Sequence, residues 1–84
     1  MDELFPREVT HNVPRITLTG REKLLVEQHR GLVACEPTQI SFSTSAGRLV
    51  VTGEGLHFVR YTANEALIGG RIDGVNLQGE GGGK

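Results

Sequence analysis

The 84-residue sequence contains no tryptophan, a single cysteine, three Phe and one Tyr. With so few aromatic rings, a hydrophobic core has to be filled mainly by Val, Ile and Leu. A chain of this length forms one domain, and such a domain buries only about 60% of the surface that its unfolded chain exposes. One cysteine excludes an internal disulfide, which is typical of a reducing compartment. The sequence therefore predicts a small domain of marginal stability, which binding to a partner or to itself would stabilise.

An excess of charge and a long hydrophobic run are also missing. Nine Lys and Arg against ten Asp and Glu give a formal net charge of −1, and no basic block is present to neutralise phosphates. The longest apolar runs, 24–26 and 32–35, are far shorter than the roughly 20 residues that cross a bilayer. The N-terminus, Met-Asp-Glu-Leu, lacks the basic and apolar regions of a signal peptide. We therefore expect a cytoplasmic protein that neither binds nucleic acid nor inserts into a membrane.

The sequence divides into three parts. Residues 1–13 form an N-terminal leader in which Pro6 interrupts any helix. Residues 79–84 form a Gly-rich tail with too few side chains to offset the entropy of ordering, so we expect it to be flexible. Residues 14–78, between these ends, carry short β-branched runs separated by glycines. This central part is the predicted domain.

Apolar and polar residues alternate along the central part with a period of two, which is the pattern of half-buried strands. The alternating apolar positions are Ile16 and Leu18, Ile40 and Phe42, Leu49 and Val51, Leu56 and Phe58, and Val75 and Leu77. Short strands of this kind, joined by glycine-containing turns, are typical of antiparallel sheets. The sequence therefore predicts an all-β fold, a small antiparallel sandwich or roll of about six to eight short strands.

Residues 22–28 are compatible with either a strand or a short helix. They follow a capping-box pattern and are rich in helix formers, which favours a helix. An internal echo favours a strand: residues 15–20 resemble residues 48–53, displaced by 33 positions, and the same displacement brings 25–26 onto 58–59. Because the second copy is strongly strand-like, a shared structure would make the first copy a strand as well.

A histidine and the only cysteine, His29 and Cys35, lie six positions apart. If Gly31 turned the chain, the two would face each other across a hairpin, as a thiol and its activating base do. Cys35 ends an apolar run, however, where cysteine usually behaves as a small buried hydrophobe. We predict instead that residues 28–31 form a turn in which Gly31 has a positive φ, with His29 and Arg30 projecting at its tip. Arg30 would then either contact a carboxylate of a partner or remain solvated.

No other motif indicates catalysis or a bound cofactor. The three histidines lack the spacing of a zinc site, and His57 alternates with apolar neighbours as an outward-facing strand residue does. The glycine pairs are not followed by a phosphate-binding Gly-Lys-Ser/Thr. The sequence therefore predicts a protein that is not an enzyme and holds no metal or cofactor. A small cysteine- or metal-dependent enzyme is the alternative, and the reactivity of the Cys35 thiol would test it.

Four segments, in order and in spacing, resemble the YabP/YqfC family of sporulation proteins. They are residues 13–20, 27–32, 47–53 and 67–75. The Pro-Arg-Ile-Thr entry and the His-Arg-Gly triplet are similar to the YqfC branch in particular. The resemblance covers roughly residues 4–77, and the Gly-rich ending departs from it.

The resemblance implies a non-enzymatic role in endospore formation, in the mother cell of a Gram-positive bacterium. It implies a membrane protein of the YqfD type as partner, which would recruit this protein to the forespore membrane. Arg15, His29, Arg30 and Gly31 match the family pattern and are the candidate partner-contact or turn residues. We therefore expect an interaction or adaptor module. The alternative is a self-assembling structural protein, a homo-oligomer whose strand edges pair into rings or filaments.

Overall fold

Six antiparallel strands make up the part of the chain that the computed structural model describes, residues 13–79. The strands are β1 (Arg15–Thr19), β2 (Lys23–Glu27), β3 (His29–Glu36), β4 (Gln39–Thr44), β5 (Gly47–Tyr61) and β6 (Glu65–Gln78). They form one sheet in the order β1-β2-β6-β5-β4-β3. The predicted all-β antiparallel fold is confirmed. The predicted leader and tail lie outside the described residues, apart from Val13 and Gly79.

The segment with two interpretations is strand β2, so the helical alternative for residues 22–28 is wrong. β2 hydrogen-bonds to β1 on one side and to β6 on the other. Leu24 and Val26 are fully buried, whereas Lys23 is exposed. Pairing on both sides outweighs the helix propensity of these residues because propensity is only a weak preference.

The β5–β6 hairpin runs through the whole molecule, with strands of 15 and 14 residues. Its register shifts at three places: Thr52/Gly53, Glu54/His57 and Phe58/Arg60. Bulges of this kind bend a strand and increase its twist. Two strands are therefore longer than the sequence suggested, since the glycines at 53 and 55 bend β5 without ending it.

The bend rolls the sheet around a single core. Phe42 on β4 lies opposite Leu49, and Phe58 is nine positions further along β5, about 30 Å in a straight strand. The Phe42 and Phe58 ring centroids are nevertheless only 6.2 Å apart. The two halves of β5 thus face each other across the core. The buried core side chains are Leu24, Val26, Ile40, Phe42, Leu49, Val51, Leu56, Ala66, Ile68 and Ile72.

No helix within residues 13–79 has the length and apolar character needed to span a membrane.

Candidate interaction site

Backbone hydrogen bonds hold the rolled sheet together at the point where β2 leads directly into β3. Gln28 is the one residue between these strands, and its φ of 68° is uncommon for a residue other than glycine. The backbone N–H groups of Gln28 and His29 donate to the carbonyl oxygen of Asn64, at 2.7 and 3.2 Å. Asn64 lies in the turn between β5 and β6. Two chain connections are therefore held together at this point, which we call the joint.

The His29 side chain is buried at the joint, with only 3% of its surface exposed. Its ring centroid lies 5.0 Å from that of Phe42 and 5.3 Å from that of Tyr61, on which it stacks. Its Nε2 is 3.2 Å from the carbonyl oxygen of Thr62, a hydrogen bond that requires the proton on Nε2. Within residues 13–79, its Nδ1 has no partner. The prediction that His29 projects from a loop tip is wrong, because the roll of the sheet places its ring in an aromatic cluster.

The chain changes direction at Gln28 alone, so the predicted turn over residues 28–31 is wrong in extent. Gly31 has the positive φ predicted for it, 151°, but it lies within β3, next to a register shift against β4. Arg30 is exposed. No ion pair to its guanidinium forms within the described part of the chain. Gly31 thus supplies a bulge, and Arg30 has its charge open to solvent.

Cys35 is exposed on β3, so the prediction that it is a buried hydrophobe is wrong. The reason is that β3 is the last strand of the sheet and nothing in the described residues covers it. Cys35 and His29 lie on the same strand, about 20 Å apart for six residues in extended conformation. They therefore do not form the hairpin pair that a thiol nucleophile and its base would require.

The outer edge of β3 carries no neighbouring strand within residues 13–79. Every side chain from Leu32 to Glu36 is exposed, including Leu32 at 40% and Val33 at 46%. A second register shift, between Leu32 and Ala34, leaves Val33 without a partner position on β4. A bulge re-aims side chains and terminates regular pairing. Residues 30–36, which we call the β3 edge, thus combine unpaired backbone groups with exposed apolar side chains.

The two arginines predicted as partner contacts, Arg15 and Arg30, lie at the same end of the molecule. Arg15 is exposed and stands opposite Glu27 in the β1–β2 ladder. Glu27 precedes Arg30 by three residues, so the two arginine Cα atoms are at most about 17 Å apart. The sheet order alone would separate them, because β1 and β3 are the two outer strands. The joint brings the start of β1 and the start of the β3 edge near each other.

Three charged side chains meet on the β5–β6 hairpin, away from the joint. Arg71 Nε is 3.1 Å from Asp73 Oδ1, and Arg71 Nη2 is 3.3 Å from Glu54 Oε2. The hydrogen bond to Asp73 and the charges of Asp73 and Glu54 raise the pKa of Arg71 above its ordinary value. All three side chains are exposed, so the cluster contributes little to stability. The effect of the cluster is local: the charge of Arg71 offsets that of Asp73.

The described His, Cys, Asp and Glu side chains form no group of three close enough to hold a metal ion. His57 is exposed on β5, as the alternation predicted. The main surface feature of the described residues is the open, partly apolar β3 edge. The described residues thus define a small antiparallel β domain whose last strand, β3, is open on one side.

Comparison with known proteins places the chain in a family. The chain belongs to the YabP family, whose sequence model matches residues 10–84. It is 30% identical over 71 residues to an uncharacterized protein of Bacillus subtilis (strain 168) named YqfC, a match spanning 84% of this chain and 76% of that protein. No solved structure matches the chain. The predicted family is confirmed, and the YabP/YqfC family is associated with sporulation.

Proposed function

We propose that this protein is a non-enzymatic interaction module of sporulation that docks a partner onto the β3 edge. The supporting observation is the β3 edge itself, where Leu32 and Val33 are exposed beside backbone groups that no strand within residues 13–79 pairs. An exposed edge can accept an extended segment of another chain, with backbone hydrogen bonds giving affinity and side-chain contacts giving specificity. Proteins usually cover or block an exposed apolar edge, so an uncovered one indicates a place for a partner.

The partner we propose is a membrane-anchored protein of the YqfD type at the forespore membrane of the mother cell. Membership in a sporulation-associated family supports the setting. Arg15 and Arg30 add two exposed cationic groups at one end of the docking surface. Carboxylates on the partner would suit them.

The non-enzymatic part of the proposal is supported by the positions of the two reactive side chains. The His29 ring is buried, and its Nε2 donates a hydrogen bond to the carbonyl oxygen of Thr62. Cys35 is exposed, about 20 Å away along β3. A nucleophile needs an activating base within hydrogen-bonding reach. Neither residue has such a partner in the described structure.

The test is an affinity pull-down of the tagged protein from sporulating cells, solubilised in mild detergent and read by mass spectrometry. We expect the unmodified protein to recover a membrane protein in near-equal amount, and Leu32→Lys to recover at least tenfold less. Val59→Lys is the matched control, because Val59 is also exposed, at 54%, but lies on β5. Thermal melting should show that both variants are folded. Equal recovery by Leu32→Lys and the unmodified protein would contradict the proposal.

A further inference from the structure

β6 has a second open edge, on the opposite side of the sheet from β3. β2 pairs with β6 only over residues 65–69. The N–H of Ile72 then donates to the carbonyl oxygen of Arg21 at 2.8 Å. Beyond Ile72, β6 has β5 on one side and no strand on the other within the described residues. We call residues 73–78 the β6 edge.

The β6 edge lacks the features that usually prevent one edge from pairing with another. Residues 74–78 are Gly-Val-Asn-Leu-Gln, without a charge or a proline. They pair with β5 in unbroken register from Gly74↔Thr52 to Gln78↔Arg48, so no bulge twists the edge away. The one charge, on Asp73, is engaged by Arg71. Natural edges are normally protected by Lys, Pro, bulges or inward-pointing charges.

At the β6 edge, two apolar side chains that continue the core are partly exposed to solvent. Leu77 lies opposite Leu49, and Val75 lies opposite Val51, so each pair shares one face of the sheet. Leu49 and Val51 are fully buried, but Val75 is 38% exposed and Leu77 is 44% exposed. Residues 80–84, Glu-Gly-Gly-Gly-Lys, contain no apolar side chain with which to cover them. The edge therefore presents two apolar side chains and a straight row of unpaired backbone groups.

We propose that two copies of this chain pair through their β6 edges, antiparallel, about a two-fold axis at Asn76. In this register Val75 stands opposite Leu77 of the second copy, and Leu77 opposite its Val75, so both apolar rows continue across the dimer. Gly74 stands opposite Gln78, and Asn76 opposite its own copy. A two-fold interface joins the same segment of both copies, so a net charge on that segment would meet the same net charge on the second copy. Residues 74–78 carry none.

The β3 edge is a poorer match for a second copy. Two register shifts within its eight-residue strand interrupt the ladder, and it carries the charges of Arg30 and Glu36. A two-fold pair also closes at two copies, whereas pairing of β3 with β6 of the next copy would grow into a filament or ring. The proposed dimer leaves both β3 edges open. It therefore adds to the partner-docking function and does not depend on it.

The first test is the mass of the full chain in solution, by sedimentation or light scattering from micromolar to millimolar concentration. The expected mass rises from 9.1 kDa to about twice that value. Leu77→Lys should remain at the monomer mass. Leu18→Lys should still dimerise, because Leu18 is exposed to a similar extent, 49% against 44%, but lies on β1. A monomer throughout the range would overturn the proposal. A mass beyond the dimer would overturn the two-fold closure.

The second test locates the axis by disulfide trapping in a Cys35→Ser background. Asn76→Cys should link to its own copy under mild oxidant, because Cα atoms of directly opposed residues lie about 4.5 to 5.5 Å apart, within the range of a disulfide. Thr17→Cys, exposed on the β1 edge, is the control and should not link. The unmodified chain reports on the β3 edge through its own exposed Cys35. Linking at position 17 or 35 but not at 76 would overturn the proposal.

Discussion

Residues 15–27 and residues 48–60 share a sequence pattern displaced by 33 positions, yet they fold differently. The first copy forms the β1–β2 hairpin, and the second lies within the single strand β5. The Thr-Gly pair in each copy marks the divergence. Gly20 has a φ of 60° and opens the hairpin turn, whereas Gly53 continues the strand at a bulge.

The difference shows that neighbouring strands, and not the local pattern, decide between a turn and a bulge. The second copy lies between β4 and β6, and β6 passes so close that a Cβ at position 53 would overlap the Arg71 carbonyl oxygen. A Cβ at Gly20 would meet nothing within 4 Å. Gly20 is thus required by its backbone conformation and Gly53 by a close approach.

The largest expected effect comes from alanine at the two equivalent glycines. Gly53→Ala should reduce the free energy of unfolding by about 3 kcal/mol, because backbone must move to admit the new methyl group. Gly20→Ala should cost about 1 kcal/mol, which is the conformational penalty of a positive φ alone. Chemical denaturation of both variants measures the difference.

A second substitution at position 20 separates the two causes. Gly20→Asn should be nearly neutral, since Asn tolerates the left-handed region. A domain of 84 residues has a total stability of about 4 to 13 kcal/mol. A loss of about 3 kcal/mol at Gly53→Ala leaves about 1 to 10 kcal/mol, so the variant should still fold but with a clearly lower denaturation midpoint. Equal losses at positions 20 and 53 would contradict the distinction drawn between them.

The two described histidines extend the comparison, since His29 follows the first copy and His57 lies inside the second. His29→Ala should cost about 3 kcal/mol, because it leaves a cavity in the aromatic cluster and removes the hydrogen bond to Thr62. His57→Ala should change stability by less than about 0.5 kcal/mol, because His57 is exposed. The measurement is thermal melting of the two variants. If His29→Ala were as stable as the unmodified protein, the placement of the His29 ring at the joint would be contradicted.

The smallest expected effect comes from valine-to-alanine changes at equivalent positions of the two copies. Val26 and Val59 occupy equivalent positions in the two copies, but Val26 is fully buried and Val59 is 54% exposed. Val26→Ala should cost about 2 kcal/mol, for two buried methyl groups and the cavity that they leave. Val59→Ala should lie within about 0.5 kcal/mol of the unmodified protein. If Val26→Ala and Val59→Ala unfolded at the same urea concentration, the two positions would be packed alike and the comparison would fail.

Much of the fold could be predicted, because alternation along a strand reports which side chains share a face. Ile40 and Phe42 are buried as that rule requires, and so are Leu49 and Val51. The candidate site could not be predicted in the same way. Exposure of Leu32 depends on β3 being the outermost strand, and strand order is set by long-range pairing. An unbroken apolar run favours a buried strand, so the pattern itself pointed away from an open edge.

His29 was misplaced for a related reason. Its polar neighbours predicted a loop, and only the closure of the sheet at Gln28 brings its ring against Tyr61. The same closure places Arg15 near Arg30, although β1 and β3 are at opposite ends of the strand order. Contacts created by the roll of a bulged hairpin leave no local signal in the sequence, apart from the glycines that permit it.

The most direct measurement is photocrosslinking at the β3 edge in sporulating cells. A photoreactive amino acid replaces Val33 in one strain and Val59 in another, two exposed positions on β3 and β5. If a partner docks on the β3 edge, irradiation should join position 33 to one membrane protein and leave position 59 without that adduct. If position 33 yields no adduct, or if both positions yield the same one, the β3 edge is not where the partner binds.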